Sequence, residues 1–167
     1  LKFINSAAFG FTSKIHSIKQ ALTLLGIREF RKWISLMALS GMGDDKPEEL
    51  VATSIIRARF AEELALKTGM KEISSDLFLM GMFSLIDAFV DKPINVILGE
   101  LNLDDSIKDA LIGQQGPLTD YYTLMLLHEK GNWGSMESLA NKLSLDEESI
   151  SLSYLQAVEW ANRVKLA

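Results

Sequence analysis

The chain has 167 residues, a formal net charge of −5, 48% hydrophobic residues, three prolines and no cysteine. This length fits one domain with a sizeable core, and the composition excludes a disordered or low-complexity chain. The absence of cysteine excludes disulfides and thiolate metal sites, and it fits a cytoplasmic protein.

The first part of the chain predicts three helical segments, because apolar residues recur at helical spacing and strand-like alternation is nearly absent. The first runs over residues 1–9 and stops at Gly10. The second runs over 18–25, with Ser17 as its cap and Gly26 as its left-handed end. The third runs over 27–40, where the apolar residues Ile27, Phe30, Ile34 and Met37 share one face.

The rest of the chain predicts further helices, and prolines, glycines and capping residues mark their ends. The apolar run over 77–90 is shorter than the roughly 20 residues that a membrane span requires, so we interpret it as a core helix capped by Ser74 or Ser75. The predicted helices are 47–68, 76–90, 93–99, 104–112, 117–131, 136–143 and 147–166. The prediction is one all-α domain, an irregular multi-helix bundle.

Positive charge is concentrated at the start of the chain. Residues 1–41 carry six Lys or Arg and one Glu, a net +5, whereas residues 42–167 carry eleven Lys or Arg and twenty-one Asp or Glu, a net −10. This asymmetry fits a basic face for an acidic partner or a nucleotide. Two parts that pack together and offset each other's charge explain it more simply, since six basic residues spread over 41 positions form no dense cluster.

Candidate metal ligands are sparse. The two histidines are His16, in a polar turn, and His128, which precedes Glu129 near a helix end. Adjacent helical residues point about 100° apart, so this pair is not expected to share a metal, and a surface histidine is the simpler interpretation. The acidic clusters lie in loops or at helix starts, where they complement the helix dipole: Asp44–Asp45, Glu48–Glu49, Asp104–Asp105 and 146–148.

The tail resembles a helix-turn-helix over residues 138–151. The second helix would present Glu147 and Glu148 to DNA phosphates, and residues 135–167 hold more acidic than basic side chains. Since DNA binding depends on neutralising phosphates, we favour ordinary helix-hairpin packing and expect no DNA partner. Trp33 and Trp160 are expected to anchor the core or an interface, and Trp133 to fold back onto the bundle.

Several segments carry a family resemblance: residues 5–10, 15–26, 54–60, 79–87 and 129–133. Together they resemble the HDOD domain, a bacterial signalling module related to the HD phosphohydrolases, and in particular the HDOD half of proteins in which an EAL domain associated with cyclic di-GMP precedes it. The resemblance implies an HD-domain type of helical bundle. It also implies that this chain lacks the first HDOD helices and an upstream domain.

The resemblance places the metal-binding His-Asp doublet of catalytic relatives at Ser84 and Leu85. Histidines and carboxylates of those relatives hold metals that activate a water for attack on phosphorus. Asp87 lies nearby, but the 47–68 helix contains no histidine. We therefore expect no catalytic, cofactor-binding or metal-binding residues and no cofactor.

The resulting hypothesis is a non-catalytic regulatory module that contacts an EAL-type domain or other signalling proteins in the cytoplasm. Two alternatives stay open: a nucleotide or small-ligand sensor, and a residual metal-dependent phosphohydrolase. Asn5 and Ser6 could form a recognition site, although side-chain bonds to nearby backbone explain them more simply.

Overall fold

Helices make up the regular structure in the computed structural model, which describes residues 15–43 and 45–165. No strand occurs in these two stretches. The predicted all-α multi-helix arrangement is thereby confirmed. The α-helices are α1 Ile18–Met42, α2 Glu48–Lys67, α3 Ser74–Phe83, α4 Ile86–Val90, α5 Ile94–Glu100, α6 Asp105–Leu111, α7 Thr119–Glu129, α8 Trp133–Lys142 and α9 Glu147–Lys165.

The core is organised around α2, which packs against both α3 and α9. Residues 60–65 of α2 are all buried, so this helix has little solvent-facing surface in its second half. Gly81 lets α3 approach α2 closely, because a Cβ at this position would lie only 2.6 Å from the carbonyl carbon of Arg57. Helices α2 and α3, which position the candidate functional site, are therefore in backbone contact.

The first described helix begins where the sequence predicts. The Ser17 hydroxyl oxygen accepts a hydrogen bond from the backbone N–H of Gln20 at 3.0 Å, as an N-cap does. Gly26 has φ of 74° and kinks α1, which matches the predicted break. The apolar face predicted for residues 27–40 is not the buried one, however. Ile27, Ile34 and Met37 are exposed, and the buried side chains are Lys32, Trp33, Leu36 and Leu39.

The predicted 76–90 helix is interrupted at Ser84 and Leu85, between α3 and α4. The Ser84 hydroxyl donates to the Gly81 carbonyl at 2.6 Å and so closes the last turn of α3. The predicted serine caps are also wrong, because α3 already includes Ser74 and follows directly on the 3-10 turn Lys71–Ile73. The apolar run itself is buried, as expected of a core helix.

The remaining helices lie close to their predicted positions. Pro47, Pro93 and Asp104 stand immediately before α2, α5 and α6. Helix α8 begins three residues earlier than predicted, since the Asn132 side chain accepts from the backbone N–H of Ser135 and caps it there. The predicted 1–9 helix, with Asn5, Ser6 and Gly10, lies outside the described residues.

None of the helices described is both long and apolar enough to cross a membrane.

Candidate functional site

The position that corresponds to the catalytic doublet lies where α3 ends against α2. Ser84 is buried at this junction, whereas Asp87 is exposed in the first turn of α4. The close approach at Gly81 brings Arg57 of α2 directly to Ser84. The arrangement depends on tertiary contact, because Arg57 and Ser84 are 27 residues apart.

Arg57 fills this position with a guanidinium group. Its Nη1 donates to the Ser84 hydroxyl at 3.0 Å. Its Nε and Nη2 donate to the two carboxylate oxygens of Glu129, at 2.8 and 2.6 Å. This bidentate pair joins the end of α7 to α2, and such pairs are strong and directional. We refer to Arg57, Ser84 and Glu129 as the Arg57 junction.

The junction is largely shielded from solvent. The Arg57 side chain is only 11% exposed, and that of Glu129 is 25% exposed. Burial raises the pKa of the nearby Tyr122 phenol; Arg57 acts against this shift, while Asp87 and Glu129 add to it. Tyr122 is thus a neutral hydroxyl at physiological pH.

A guanidinium group cannot bind a metal as the His-Asp doublet of catalytic relatives does. Arginine donates hydrogen bonds only and keeps its positive charge in proteins, so it neither ligates a cation nor acts as a base. Glu129 is the nearest well-placed carboxylate, and both of its oxygens already accept from Arg57. No cluster of three or more potential metal-ligating side chains occurs in the part of the chain that the structure describes.

The two histidines lie in different environments. His16 is exposed before α1, and its backbone N–H donates to the Gln20 side chain. The prediction that His128 lies on the surface is wrong. Its ring is partly buried and lies within 6 Å, centroid to centroid, of the rings of Phe60, Tyr154 and Trp133. His128 and Glu129 therefore point to different partners, as the helical geometry predicts.

The surroundings of His128 lower the pKa of its imidazole ring. Burial lowers the pKa of the imidazole, and the neighbouring Glu129 opposes this only in part. The Nδ1 atom is buried and has no hydrogen-bond partner among the described residues. The ring therefore behaves chiefly as one member of an aromatic cluster.

A second polar cluster, which the sequence analysis did not single out, joins α1 to α2. Lys32 of α1 donates to Glu62 of α2 at 2.5 Å, and both side chains are only 7% exposed. Glu29 also pairs with Lys32. Arg59 pairs with Glu62 at 2.7 Å and extends the cluster further along α2. We call these four residues the Lys32 network.

The Lys32 network borders a groove of about 380 Å³ between α1, α2, α3 and α9. Lys32 Nζ lies 5.3 Å from the centroid of the Phe78 ring, and the Arg59 guanidinium lies 5.7 Å from that of Trp160. Arg163 lines the same groove. The groove thus combines aromatic rings with charges of both signs.

The charge asymmetry of the sequence is partly compensated by packing. Lys32 pairs with Glu62, and Arg31 pairs with Asp104 at 3.4 Å. Both pairs join the basic first part of the chain to the acidic remainder. For these two cations the offsetting interpretation is confirmed.

The acidic clusters lie mostly where helix capping requires them. Glu48–Glu49, Asp105 and Glu147–Glu148 are in the first turns of α2, α6 and α9. Hydrogen bonds from the Ser149 side chain and from the Ser149 backbone N–H lower the pKa of the Asp146 carboxyl group. Asp44 lies outside the described residues.

The two tail helices pack mainly against other helices, α8 against α7 and α9 against α2, so the hairpin packing predicted between them is not confirmed. Helix α9 lies along α2 and buries one face in the core, through Ile150, Ser153, Ala157, Ala161 and Val164. Trp160 meets Phe78 edge-on at 5.9 Å, and Trp33 is buried against Phe30, as the sequence predicts for anchoring residues. Trp133 contacts His128 at its edge but is 56% exposed, so it folds back only in part.

Comparisons with known proteins show the family to which the chain belongs. The sequence model of the HDOD domain family matches residues 1–90, more than half of the chain, and the chain belongs to this family. It is 38% identical over 167 residues to the uncharacterized protein YuxH of Bacillus subtilis, covering 98% of this chain and 40% of YuxH. It is 33% identical over 164 residues to the cyclic di-GMP phosphodiesterase CdgJ of Vibrio cholerae, covering 98% of this chain and 38% of CdgJ.

The chain therefore spans about two fifths of the length of these curated relatives. No solved structure matches the chain.

Proposed function

We propose that this HDOD domain is a non-catalytic regulatory module of a bacterial signalling protein. It works in the cytoplasm through contacts with an EAL-type domain or with other signalling proteins, and the EAL-type domain belongs to the longer protein. The likeness to CdgJ, a cyclic di-GMP phosphodiesterase, supports the link to cyclic di-GMP signalling.

The Arg57 junction is the observation that carries the non-catalytic part of the proposal. Catalytic relatives need metal ligands where this chain has Ser84, and a fixed guanidinium lies against that serine. Arginine has only N–H donors, and Arg57 engages both carboxylate oxygens of Glu129, so the junction presents no free carboxylate to a divalent cation. The junction also ties α2 to α7, which gives Arg57 a structural role in place of a chemical one.

The test is a metal analysis of the purified chain together with a phosphodiesterase assay on cyclic di-GMP, with and without added Mn²⁺ or Mg²⁺. We expect substoichiometric metal and no hydrolysis above the buffer rate. One metal per chain with metal-dependent turnover would contradict the proposal.

A second experiment addresses the regulatory role. In the longer protein, deletion of these 167 residues should change the rate or the ligand dependence of cyclic di-GMP hydrolysis by the EAL-type domain. An unchanged rate under all conditions in the deletion variant argues against a regulatory module.

The groove beside the Lys32 network favours the sensor as a second candidate function. Its volume of about 380 Å³ suits a small molecule, Trp160 offers an aromatic ring, and Arg163 offers a cation for an anionic group. A thermal-shift screen with nucleotides tests this candidate. A dose-dependent rise in Tm with one nucleotide, lost in Arg163→Ala, favours the sensor.

A further inference from the structure

A cleft lies between the two tail helices. Helix α8 packs mainly on α7 and helix α9 packs mainly on α2, so a cavity of about 340 Å³ is left between them. The floor of this cleft is apolar, because Met136 and Ala140 of α8 and Ile150 of α9 are buried there. None of the lining residues belongs to the Arg57 junction or to the Lys32 network.

An exposed tryptophan ring borders the cleft. Trp133 is the first residue of α8, and 56% of its surface is exposed. Neighbouring groups hold the ring in place, since the His128 ring meets it edge-on at 5.7 Å and a Cβ added at Gly131 would lie 3.9 Å from it. Tryptophan is highly buried on average, so a held ring with more than half of its surface in water is available to a ligand.

Carboxylates from both helices also border the cleft. Glu137 of α8 and Glu147 of α9 are exposed, and neither forms an ion pair with a cation among the described residues. Lys142 of α8 is already paired with Asp120 of α7 at 2.6 Å. A cation that enters the cleft therefore meets two carboxylates that are free to accept charge-assisted hydrogen bonds.

The start of α9 disfavours a ligand of the opposite charge. A helix N-terminus attracts anions through its free backbone N–H groups. Here the Asp146 carboxylate accepts from the backbone N–H of Ser149. Glu147 and Glu148 occupy the first turn, so an anion would face three carboxylates. The charge of Lys67 reaches Asp146, but Lys67 does not line the cleft. The cleft thus selects a cation.

We propose that the cleft binds a small organic cation whose charge is a guanidinium group on a short aliphatic stem. The stem lies on the apolar floor, and the planar group lies against the Trp133 ring and donates to Glu137 and Glu147. A guanidinium suits these partners better than an ammonium, because it stacks on aromatic rings and presents a fork of donors. The site goes beyond the proposed regulatory function and does not depend on it.

The solvated rim favours a small molecule over a protein surface. Glu137, Asn141 and Glu147 are all exposed around the cleft, whereas the centres of protein interfaces are depleted in glutamate and other charged residues. The cavity volume is at the lower end of the range for small-molecule sites. For a ligand of few atoms whose charge stays near water, we expect a dissociation constant on the order of 0.1 to 1 mM.

An NMR titration of the ¹⁵N-labelled chain with butylguanidinium tests the site. We expect the Trp133 indole N–H signal, assigned through its loss in Trp133→Phe, to shift and saturate. Butylurea, which has nearly the same shape but no charge, should cause no saturable shift. Butylammonium should bind at least about threefold more weakly. Equal binding of butylurea overturns the selection of a cation, and equal binding of butylammonium overturns the choice of a guanidinium.

Substitution of the carboxylates tests their role in binding. Glu137→Gln and Glu147→Gln should each weaken binding by about three- to fivefold, and the double variant by about tenfold or more. Glu148→Gln is the matched control, because Glu148 is exposed in the same turn of α9 and does not line the cleft. It should change the affinity by less than about twofold. Equal losses in Glu148→Gln and Glu147→Gln, or no saturable shift of wild type at tens of millimolar ligand, overturn the proposal.

The longer protein decides whether the cleft is open to a free ligand. Saturation-transfer NMR observes the ligand and so allows the same comparison of butylguanidinium and butylurea in a larger chain. We expect butylguanidinium to bind the longer protein as it binds these 167 residues. Binding that is lost in the longer protein means that another part of that protein fills the cleft, which overturns the proposal of a small-molecule site.

Discussion

Two polar clusters hold α2 in place, and they differ in burial and in connectivity. The Lys32 network joins α1 to α2 through Lys32 and Glu62, whose side chains are only 7% exposed, while its outer members Glu29 and Arg59 are 52% and 29% exposed. The Arg57 junction joins α2 to the ends of α3 and α7 nearer to solvent, through one guanidinium. A buried charge without its partner is far more costly than a half-exposed one, so the first cluster should govern stability more strongly.

Removal of Glu62 should give the largest effect. Glu62→Leu leaves Lys32 buried with only the half-exposed Glu29 as its partner, so we expect a loss of about 3 kcal/mol or more in the free energy of unfolding. Urea unfolding followed by circular dichroism measures this change. Glu137→Leu, at an exposed position on α8, should change stability by less than about 0.5 kcal/mol. Equal effects of the two substitutions would rule out a stabilising role for the network.

The close contact that creates the Arg57 junction can be tested next. Gly81→Ala places a methyl group 2.7 Å from the backbone nitrogen of Ala58, so α2 and α3 must separate. We expect a loss of about 1 to 3 kcal/mol, measured as a lower Tm. Gly134→Ala in α8 is the matched control, since its Cβ meets nothing within 4 Å. It should be neutral or slightly stabilising. A stable Gly81→Ala variant would mean that the two helices are not in backbone contact.

Substitution of Arg57 measures the junction itself. Arg57→Met removes three hydrogen bonds but leaves Glu129 partly accessible to water, so a loss of about 1 to 2 kcal/mol is expected. Arg31→Met, which breaks only an exposed pair with Asp104, should cost less than about 0.5 kcal/mol. Denaturant titrations of both variants compare the two losses. If Arg57→Met costs as much as Glu62→Leu, the ranking of the two clusters is wrong.

The smallest effect concerns pH and His128, which lies beside the junction. Burial lowers the pKa of His128 in the folded state, so the unfolded chain binds the proton more readily. The stability that His128 contributes is therefore constant above its unfolded pKa of about 6.5 and falls as the pH drops below it. We expect a small loss of stability between pH 6.5 and 5.

His128→Gln should flatten this part of the pH profile of unfolding, as followed by Tm at a series of pH values. His16→Gln, at an exposed position, is the control substitution and should leave the profile in place. A profile that is unchanged in His128→Gln shows that other groups cause the acid destabilisation.

Much of the fold was predictable because local signals mark helix ends. Ser17, Gly26, Pro47 and Pro93 act through their own backbone or through residues within one turn, so their effect can be read directly from the sequence. The missed features depend on partners far along the chain. At the break, Ser84 forms hydrogen bonds with Gly81 and with Arg57. The spacing of apolar residues contains no sign of the hydrogen bond from Arg57, which lies 27 residues away.

The candidate site shows the same division. The family resemblance predicts from the sequence alone that Ser84 and Leu85 replace the catalytic doublet. It gave no indication that Arg57 and Glu129, 72 residues apart, meet there. Charged residues look alike in a helical pattern whether they are solvated or paired in the interior, so Lys32 and Glu62 were equally hidden.

The sequence by itself determined the helical class, most helix boundaries and the family, because propensity, capping and short motifs are local properties. Only the tertiary structure decided which face of α1 is buried, which charges lie in the interior and what fills the position of the doublet. Those outcomes depend on which helices pack together, and the free energy of burial and ion pairing is set by contacts between distant residues.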